Sequence, residues 1–229
     1  MTLTRRQLLA GAGTLGAMAA GGAFERGLLA AAAQPRDARE QWNRIYGATD
    51  FPFKTERNEF LAEVIKGRTA GTALDIGVGR GRNSLYLASQ GWTVTGVDIS
   101  DEGVRIATAE AARAGLQITA MVQDFATFDI GTGRWDLIAG LYMGDLIVTH
   151  AKRIMAALRP GGLLVVENFG LDLNRPAMVG GAPLGYGVNQ LLTVFADLRV
   201  RRYEDTLGVA DWARGAQPVP VVRLAAEKR

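Results

Sequence analysis

Apolar and polar positions along the chain follow two different periods, and these periods predict alternating strands and helices. Runs or alternations of apolar residues predict five strands, at residues 73–76, 94–98, 118–122, 135–142 and 163–166. Apolar positions at helical spacing between them predict helices over residues 83–90, 101–114 and 145–158. Strands that alternate with helices indicate an α/β fold around a mainly parallel sheet.

The segments on either side of this core have patterns of their own. Residues 38–46 and 55–65 predict two N-terminal helices, and a helix over 188–195 precedes two strands at 198–203 and 219–225. Residues 171–187 are rich in Gly, Pro and Asn and follow the fifth strand, so they are a candidate substrate loop. With 229 residues and no internal repeat, the chain predicts a single domain.

The first strand ends in an acidic, glycine-rich turn. Asp75 is followed by Gly77, Gly79 and Gly81, and glycine is required where a ligand lies directly against the backbone. The third glycine comes one residue earlier than in the dinucleotide fingerprint G-x-G-x-x-G. Asp98 ends the second strand, where a ribose would lie in such a βαβ unit, and no Arg or Lys follows it to accept a ribose phosphate. A turn that binds NAD, or no ligand, remains an alternative.

Composition excludes several classes of function. The formal charge is only +3, and no basic patch is interleaved with aromatic residues, so nucleic acid is not an expected partner. The absence of cysteine excludes disulfides and thiolate chemistry, and a single histidine argues against a zinc site. That histidine, His150, shares a helical face with apolar residues, which predicts a packed or rim position. No apolar helix or heptad predicts an oligomer, so a monomer is expected.

The first 33 residues have the pattern of an export signal. Arg5 and Arg6 precede an uncharged stretch from Leu8 to Phe24 that is too short and too weakly apolar for a membrane span. Small residues before Gln34 provide an Ala-x-Ala type cleavage site. The pattern resembles a twin-arginine signal and predicts an exported protein. An uncleaved Ala-rich helix in a cytoplasmic protein is the alternative.

Several motifs together resemble a known family. The pattern D-x-G-x-G-x-G resembles motif I of the class I S-adenosylmethionine (SAM) methyltransferases, and the L-R-P-G-G turn at 158–162 is frequent in the same enzymes. The run G-R-N-S-L-Y-L-A at 81–88, with the W-x3-Y segment and residues 58–61, is similar to the tellurite-resistance and thiopurine type. This resemblance covers about residues 40–228. It implies a Rossmann-like fold with a seven-stranded, mostly parallel sheet, an antiparallel C-terminal hairpin and helices on both faces.

The resemblance also implies a SAM site and roles for its residues. Asp98 would take the ribose hydroxyls, and Asp124 with Phe125 would meet the adenine. Residues 38–66 would form a helical lid on a methyltransferase domain of residues 67–229, with Trp42, Tyr46 and Phe53 over the methionine end. The cofactor residues expected on this basis are Asp75, Gly77, Gly79, Gly81, Asn83, Asp98, Ile99, Asp124, Phe125, Leu141 and Tyr46.

No residue pattern predicts a strong general base. Tyr142 and Asp145 are weak candidates near the carboxyl end of the fourth strand, and no metal is expected. A soft or already anionic nucleophile needs no base, so the expected acceptor is a small thiol, halide or metalloid oxyanion. Two departures from the family pattern are Val78, where a cysteine is common, and the hairpin connection 208–214, which lacks histidine. A non-catalytic protein that binds another small ligand in the same fold is the alternative.

Overall fold

A computed structural model describes residues 35–171, 177–179, 182–211 and 218–229. The predicted export signal, and Trp212 and Arg214 of the hairpin connection, lie outside the described residues. Within the described part of the chain, no helix is long and apolar enough to cross a membrane.

The elements follow the predicted alternation. The helices are α1 (Pro35–Gly47), α2 (Glu59–Ile65), α3 (Arg82–Ser89), α4 (Asp101–Arg113), α5 (Leu146–Thr149), α6 (Ala151–Ala157) and α7 (Gln190–Val194). The strands are β1 (Thr72–Ile76), β2 (Thr93–Asp98), β3 (Ile118–Val122), β4 (Trp135–Leu141), β5 (Leu158–Phe169), β6 (Ala177–Val179), β7 (Ala182–Leu184), β8 (Arg199–Val209) and β9 (Pro218–Glu227).

Seven strands form one sheet in the order β3-β2-β1-β4-β5-β9-β8. The first five are parallel, whereas β9 runs antiparallel to both β5 and β8. Strands β6 and β7 form a separate two-stranded ribbon within the predicted substrate loop. The predicted seven-stranded, mostly parallel sheet with an antiparallel C-terminal hairpin is therefore confirmed.

Neighbouring residues of a strand point to opposite faces of the sheet, and both faces are buried under helices. On one face Leu74 and Ile138 pack in a cluster with Ile154 of α6 and Leu191 of α7. The opposite face carries smaller side chains of the same strands, under residues of α2 and α3; its cluster includes Ala73, Leu137, Val165, Phe60, Leu61 and Leu87. The carboxyl ends of β1 to β5 consequently meet at one edge, where ligands bind in open α/β sheets.

Two helices differ from the pattern-based prediction. The helix expected over 145–158 is two short helices, because the backbone of His150 leaves the helical region at φ −104° and ψ 17°. The helix expected from residue 55 begins at Glu59, because Asn58 caps it: its side-chain Oδ1 accepts a hydrogen bond from the backbone N–H of Leu61 at 2.8 Å. The cap at Asn58 ties the start of α2 to Asn83, a residue that lines the candidate site.

Candidate functional site

The glycine-rich turn between β1 and α3 forms the floor of the site. Gly77, Gly79 and Gly81 all have positive φ, at 80°, 51° and 90°, which side-chain-bearing residues rarely adopt. The turn is tied to β2, since the backbone N–H groups of Gly77 and Val78 both donate to the carbonyl of Val97. The three predicted glycines therefore shape one continuous turn at the carboxyl end of β1.

Space as well as backbone geometry requires glycine here. A Cβ on Gly77 would lie 2.1 Å from the sulfur of Met143, and one on Gly79 would lie 2.9 Å from the Tyr46 hydroxyl. Gly103, in the first turn of α4, would place a Cβ 3.0 Å from the same tyrosine ring. The Tyr46 ring thus lies between two glycines from separate elements.

A cleft of about 350 Å³ opens beside this turn, within the size range of small-ligand sites. It is lined by the turn, the start of α3, the far end of α4 and the segment before α2; the residues are Tyr46, Lys54, Thr55, Gly77, Val78, Gly79, Arg80, Arg82, Asn83, Leu85, Glu110, Arg113 and Leu141. Five of the predicted cofactor residues are among them. The four cations were not predicted, because single Arg and Lys residues carry no motif in the sequence.

Asp75 lies beneath the turn, with 2% of its surface exposed. Its Oδ2 accepts a hydrogen bond from the Ser84 hydroxyl at 2.7 Å. Burial raises the pKa of Asp75 to about 6, against the opposing effects of the Ser84 hydrogen bond and of Arg82. A buried carboxylate of this kind favours a cationic group nearby.

Asp98 braces the turn from the end of β2. One carboxylate oxygen accepts from the backbone N–H of Gly79 and the other from that of Ser100, both at 2.8 Å. Burial raises the pKa of Asp98, while these backbone donors oppose the rise. Ile99 is half-buried beside it. Neither Asp98 nor Ile99 lines the cleft, so the ribose contact predicted for Asp98 and the cofactor contact predicted for Ile99 stay predictions.

Helix α1 is hydrogen-bonded to Ser100 and Asp101, at the start of α4. Arg39 Nε donates to Asp101 Oδ2 at 2.7 Å, and Asn43 Oδ1 accepts from the Ser100 hydroxyl at 2.6 Å. The Arg39 hydrogen bond lowers the pKa of Asp101 to about 2. These contacts bring Tyr46 over the glycine turn, where burial and the charge of Asp98 hold its pKa well above the ordinary value.

The aromatic residues predicted to cover the site form one cluster. The rings of Trp42 and Tyr46 stack with their centroids 5.3 Å apart, and Trp42 lies 6.2 Å from Phe53. Phe51 completes the cluster and carries the Arg80 guanidinium over its ring at 4.6 Å. The segment before α2 is thereby packed against α1 beside the cleft.

Asp124 and Phe125 lie at the end of β3, outside the cleft. Asp124 is exposed, and its Oδ1 accepts from the backbone N–H of Ala126 at 2.9 Å. Phe125 is buried, with the ring of half-buried His150 edge-on at 5.6 Å and the Arg153 guanidinium over its face at 5.5 Å. Their predicted contacts with an adenine stay predictions.

The weak catalytic candidates differ in their surroundings. The Tyr142 hydroxyl donates to Glu167 Oε1 and accepts from the backbone N–H of Asp211 at 2.7 Å. Burial and the charge of Glu167 raise the pKa of Tyr142 well above 10. Asp145 is exposed at the start of α5. Neither lines the cleft, and a tyrosine with a raised pKa is a poor base at neutral pH.

Sequence comparison identifies the central part of the chain. Residues 73–162 match a family model described as a methyltransferase domain. The 2-heptyl-1-hydroxyquinolin-4(1H)-one methyltransferase of Mycobacteroides abscessus is 30% identical over 132 residues, which are 55% of this chain and 58% of that protein. The chain spans about half the length of the curated relatives it matches.

Solved structures match a larger part of the chain. TehB from Haemophilus influenzae superposes with a TM-score of 0.66 at 17% identity, over 83% of this chain and 67% of TehB. Magnesium protoporphyrin IX methyltransferase (ChlM) from Synechocystis PCC 6803, solved with bound SAH, gives a TM-score of 0.59 at 20% identity, over 85% of this chain and 99% of ChlM. The expected resemblance is confirmed: residues 73–162 match the methyltransferase-domain model, and the described fold is similar to the folds of TehB and ChlM.

Proposed function

We propose that this protein is a SAM-dependent methyltransferase that acts on a small-molecule acceptor. The observation that carries the proposal is the glycine turn with the cleft beside it: the turn lies within the matched residues, with the buried carboxylates Asp75 and Asp98 next to it. The bound SAH of ChlM, a structural neighbour, supports the choice of cofactor.

The cleft fits this cofactor in its chemistry as well as its size. Gly77 and Gly79 line the cleft without side chains of their own, so their part of the wall is backbone. Lys54 and Arg82 are cations suited to a carboxylate such as that of the methionine moiety. Buried Asp75 complements the cationic amino group, and Asp98 has the residue type and position for the ribose hydroxyls.

When bound, SAM supplies an electrophilic methyl group, and the residues of this chain hold and shield it. The glycine turn and Asn83 orient the cofactor, and Leu141 lines the cleft at the carboxyl end of β4. Helix α1 and the segment to residue 66 act as the lid, because Tyr46, which is packed in the cluster with Trp42 and Phe53, lies over Gly79 of the turn. Excluding water favours in-line displacement, whose rate depends on the alignment of nucleophile and methyl group.

The acceptor class is inferred from the described residues that line the cleft, where the carboxylate Glu110 is paired with Arg113 and is not free to act as a base. A thiol, a halide or a metalloid oxyanion is nucleophilic enough to react without one. The M. abscessus relative is named for a hydroxyquinolinone, and an acidic N–OH group of this kind also ionises without strong assistance. All four classes belong in an acceptor screen, with the protein acting as a monomer.

Export is the finer part of the proposal. The Arg5–Arg6 pair, the uncharged stretch after it and the small residues before Gln34 support a twin-arginine route. This route carries folded proteins and would allow export with cofactor bound. Cell fractionation and N-terminal sequencing test it: export predicts a periplasmic form that begins at Ala33 or Gln34, and an intact cytoplasmic chain contradicts it.

The function is tested by calorimetric titration of the full chain with SAM, SAH and NADH. We expect SAM and SAH to bind and NADH not to. Asp98→Ala is expected to weaken SAH binding by at least about tenfold, because it removes charge-assisted contacts to the backbone of Gly79 in the turn and of Ser100 before α4. Asp129→Ala, at an exposed loop carboxylate, is the control. Absence of binding to SAM and SAH would overturn the proposal in favour of a non-catalytic protein for another ligand.

A further inference from the structure

Glu167 is a completely buried carboxylate at the carboxyl end of β5. It accepts three hydrogen bonds from three separate parts of the chain. Asn58 Nδ2, at 2.8 Å, and the Tyr142 hydroxyl share Oε1, whereas Arg223 Nε donates to Oε2 at 2.6 Å. Such a network is not needed to build a sheet, since apolar residues fill strand ends at lower desolvation cost.

Asn58, one of the two uncharged donors to Glu167, also contacts a residue that lines the cleft. The backbone N–H of Asn58 donates to Oδ1 of Asn83, a cleft residue on α3, at 2.9 Å. The side chain of Asn58 also caps α2 through Leu61. Asn58 therefore fixes the start of α2 relative to both Glu167 and the cofactor turn.

Tyr142, the other uncharged donor to Glu167, is linked through Asp211 to the segment just before α2. Tyr142 has φ +60°, a strained conformation for a residue with a side chain, and its hydroxyl accepts from the backbone N–H of Asp211. The Asp211 carboxylate accepts from the backbone N–H of Glu59 at 2.9 Å and pairs with Lys54 at 3.2 Å. Both routes from Oε1 thus converge on residues 54–59.

The two oxygens of Glu167 have separable roles. Arg223 balances the charge through Oε2, and it also pairs with Glu204 at 3.0 Å. Asn58 and Tyr142 add no charge, so their contribution is to fix geometry. A shared acceptor makes the two donors interdependent, since each holds the carboxylate in place for the other.

We propose that Glu167 is a positioning residue that, through Asn58 and Tyr142, holds residues 54–59 as one wall of the cofactor cleft. This inference rests on the proposed function. It assigns to the end of β5 a role in cofactor affinity, although Glu167 itself does not line the cleft.

Two single substitutions test the routes separately. Asn58→Ser retains a side chain able to cap α2 but is too short to reach Glu167. Tyr142→Phe retains the ring and removes the hydroxyl. Glu204→Gln is the matched control, because it removes a carboxylate partner of Arg223 and leaves both neutral donors in place. SAH affinity is measured by calorimetry, and amide hydrogen exchange is followed over residues 54–62.

We expect Asn58→Ser, which loses one buried hydrogen bond, and Tyr142→Phe, which loses two, each to weaken SAH binding by at least about tenfold and to speed exchange in this segment. The double variant should fall short of the product of the single effects, since the donors share one oxygen. Glu204→Gln should leave SAH affinity and exchange at 54–62 unchanged.

A purely structural role would lower the melting temperature of Asn58→Ser, Tyr142→Phe and the double variant without a change in SAH affinity. That result would overturn the proposal. Unchanged exchange at 54–62 in both single variants would also overturn it. If the unaltered protein binds no SAH, the proposed function fails, and the assignment to a cofactor cleft fails with it. Exchange then decides separately whether Glu167 holds the segment.

Discussion

The hydroxyl of Tyr46 lies over Gly79, at 2.9 Å from the position that a Cβ on this glycine would occupy. Helix α1 and the glycine turn are therefore in contact through an aromatic ring and bare backbone. Any side chain at residue 79 would displace the lid, strain the turn, or do both.

Gly79→Ala is expected to weaken SAH binding by at least about tenfold and to cost roughly 1–2 kcal/mol of stability, because φ is +51° there. Gly133→Ala is the matched control, since Gly133 has φ +55° and nothing within 4 Å of an added Cβ. Calorimetry and thermal unfolding measure the two effects. Equal losses of SAH affinity in both variants would contradict a specific contact between turn and lid.

Asp75→Asn should increase stability at alkaline pH. Folding raises the pKa of Asp75 from its ordinary value of 3.8 to about 6, so the folded state binds the proton more tightly. The free energy of unfolding therefore falls as the pH rises from 3.8 to about 6, by up to about 3 kcal/mol at about 1.4 kcal/mol per pKa unit. Urea unfolding at pH 4 and pH 8 should show a gain for the variant at pH 8 that disappears at pH 4.

The same substitution should weaken SAH binding at pH 8, because the carboxylate that complements a cationic amino group is lost. In the unaltered protein, SAH affinity should likewise fall as pH drops below about 6. In the unfolding test, Asp75→Asn could be less stable than the unaltered protein at pH 8, or more stable by the same amount at pH 4 and pH 8. Either result would show that the Asp75 charge does not destabilise the folded state.

Asp101→Asn should loosen the lid without unfolding the domain. The ion pair with Arg39 is exposed, so thermal stability should change little. We expect association and dissociation of SAH both to accelerate, by roughly two- to fivefold, in stopped-flow measurements. Arg105→Gln, which removes an ion pair within α4, is the control. Unchanged rates for Asp101→Asn would mean that α1 does not gate the cleft.

Asp124→Asn tests the proposed adenine contact. Asp124 and Asp129 are both exposed, and each accepts a backbone N–H two residues later in the chain. A several-fold loss of SAH affinity is expected for Asp124→Asn, and none for Asp129→Asn, because a charge-assisted contact to an exocyclic amine contributes at least about 1 kcal/mol. Titration of both variants with SAH and with adenosine provides the measurement. Equal behaviour of the two would place the adenine elsewhere.

The sequence predicted the sheet and the glycine turn because both depend on local signals. Buried parallel strands require short apolar segments, and a turn with three positive φ values requires glycine. The break at His150 carried no such signal, since no Gly or Pro marks it. The His150 ring packs against Phe125, which is distant in the sequence, and helical periodicity does not reveal such a contact.

The Glu167 network was missed for a related reason. Asn58 and Glu167 are separated by 109 positions, and each residue type is unremarkable in its own segment. Only the arrangement of strands brings β5, the cap of α2 and the hairpin to one edge. The cations of the cleft, such as Lys54 and Arg82, were missed because isolated basic residues are usually solvated.

The place of β9 in the sheet has a consequence for synthesis. Residues 218–227 come last among the strands in chain order, yet they lie between β5 and β8. A ribosome therefore releases β8 before its neighbour β9 has been synthesised. Strand β8 can join the sheet only after β9 has paired with β5. The glycine turn is complete much earlier, but Glu167 gains its charge partner Arg223 only when β9 has been made, so we expect the nascent chain to bind cofactor only once its sheet is finished.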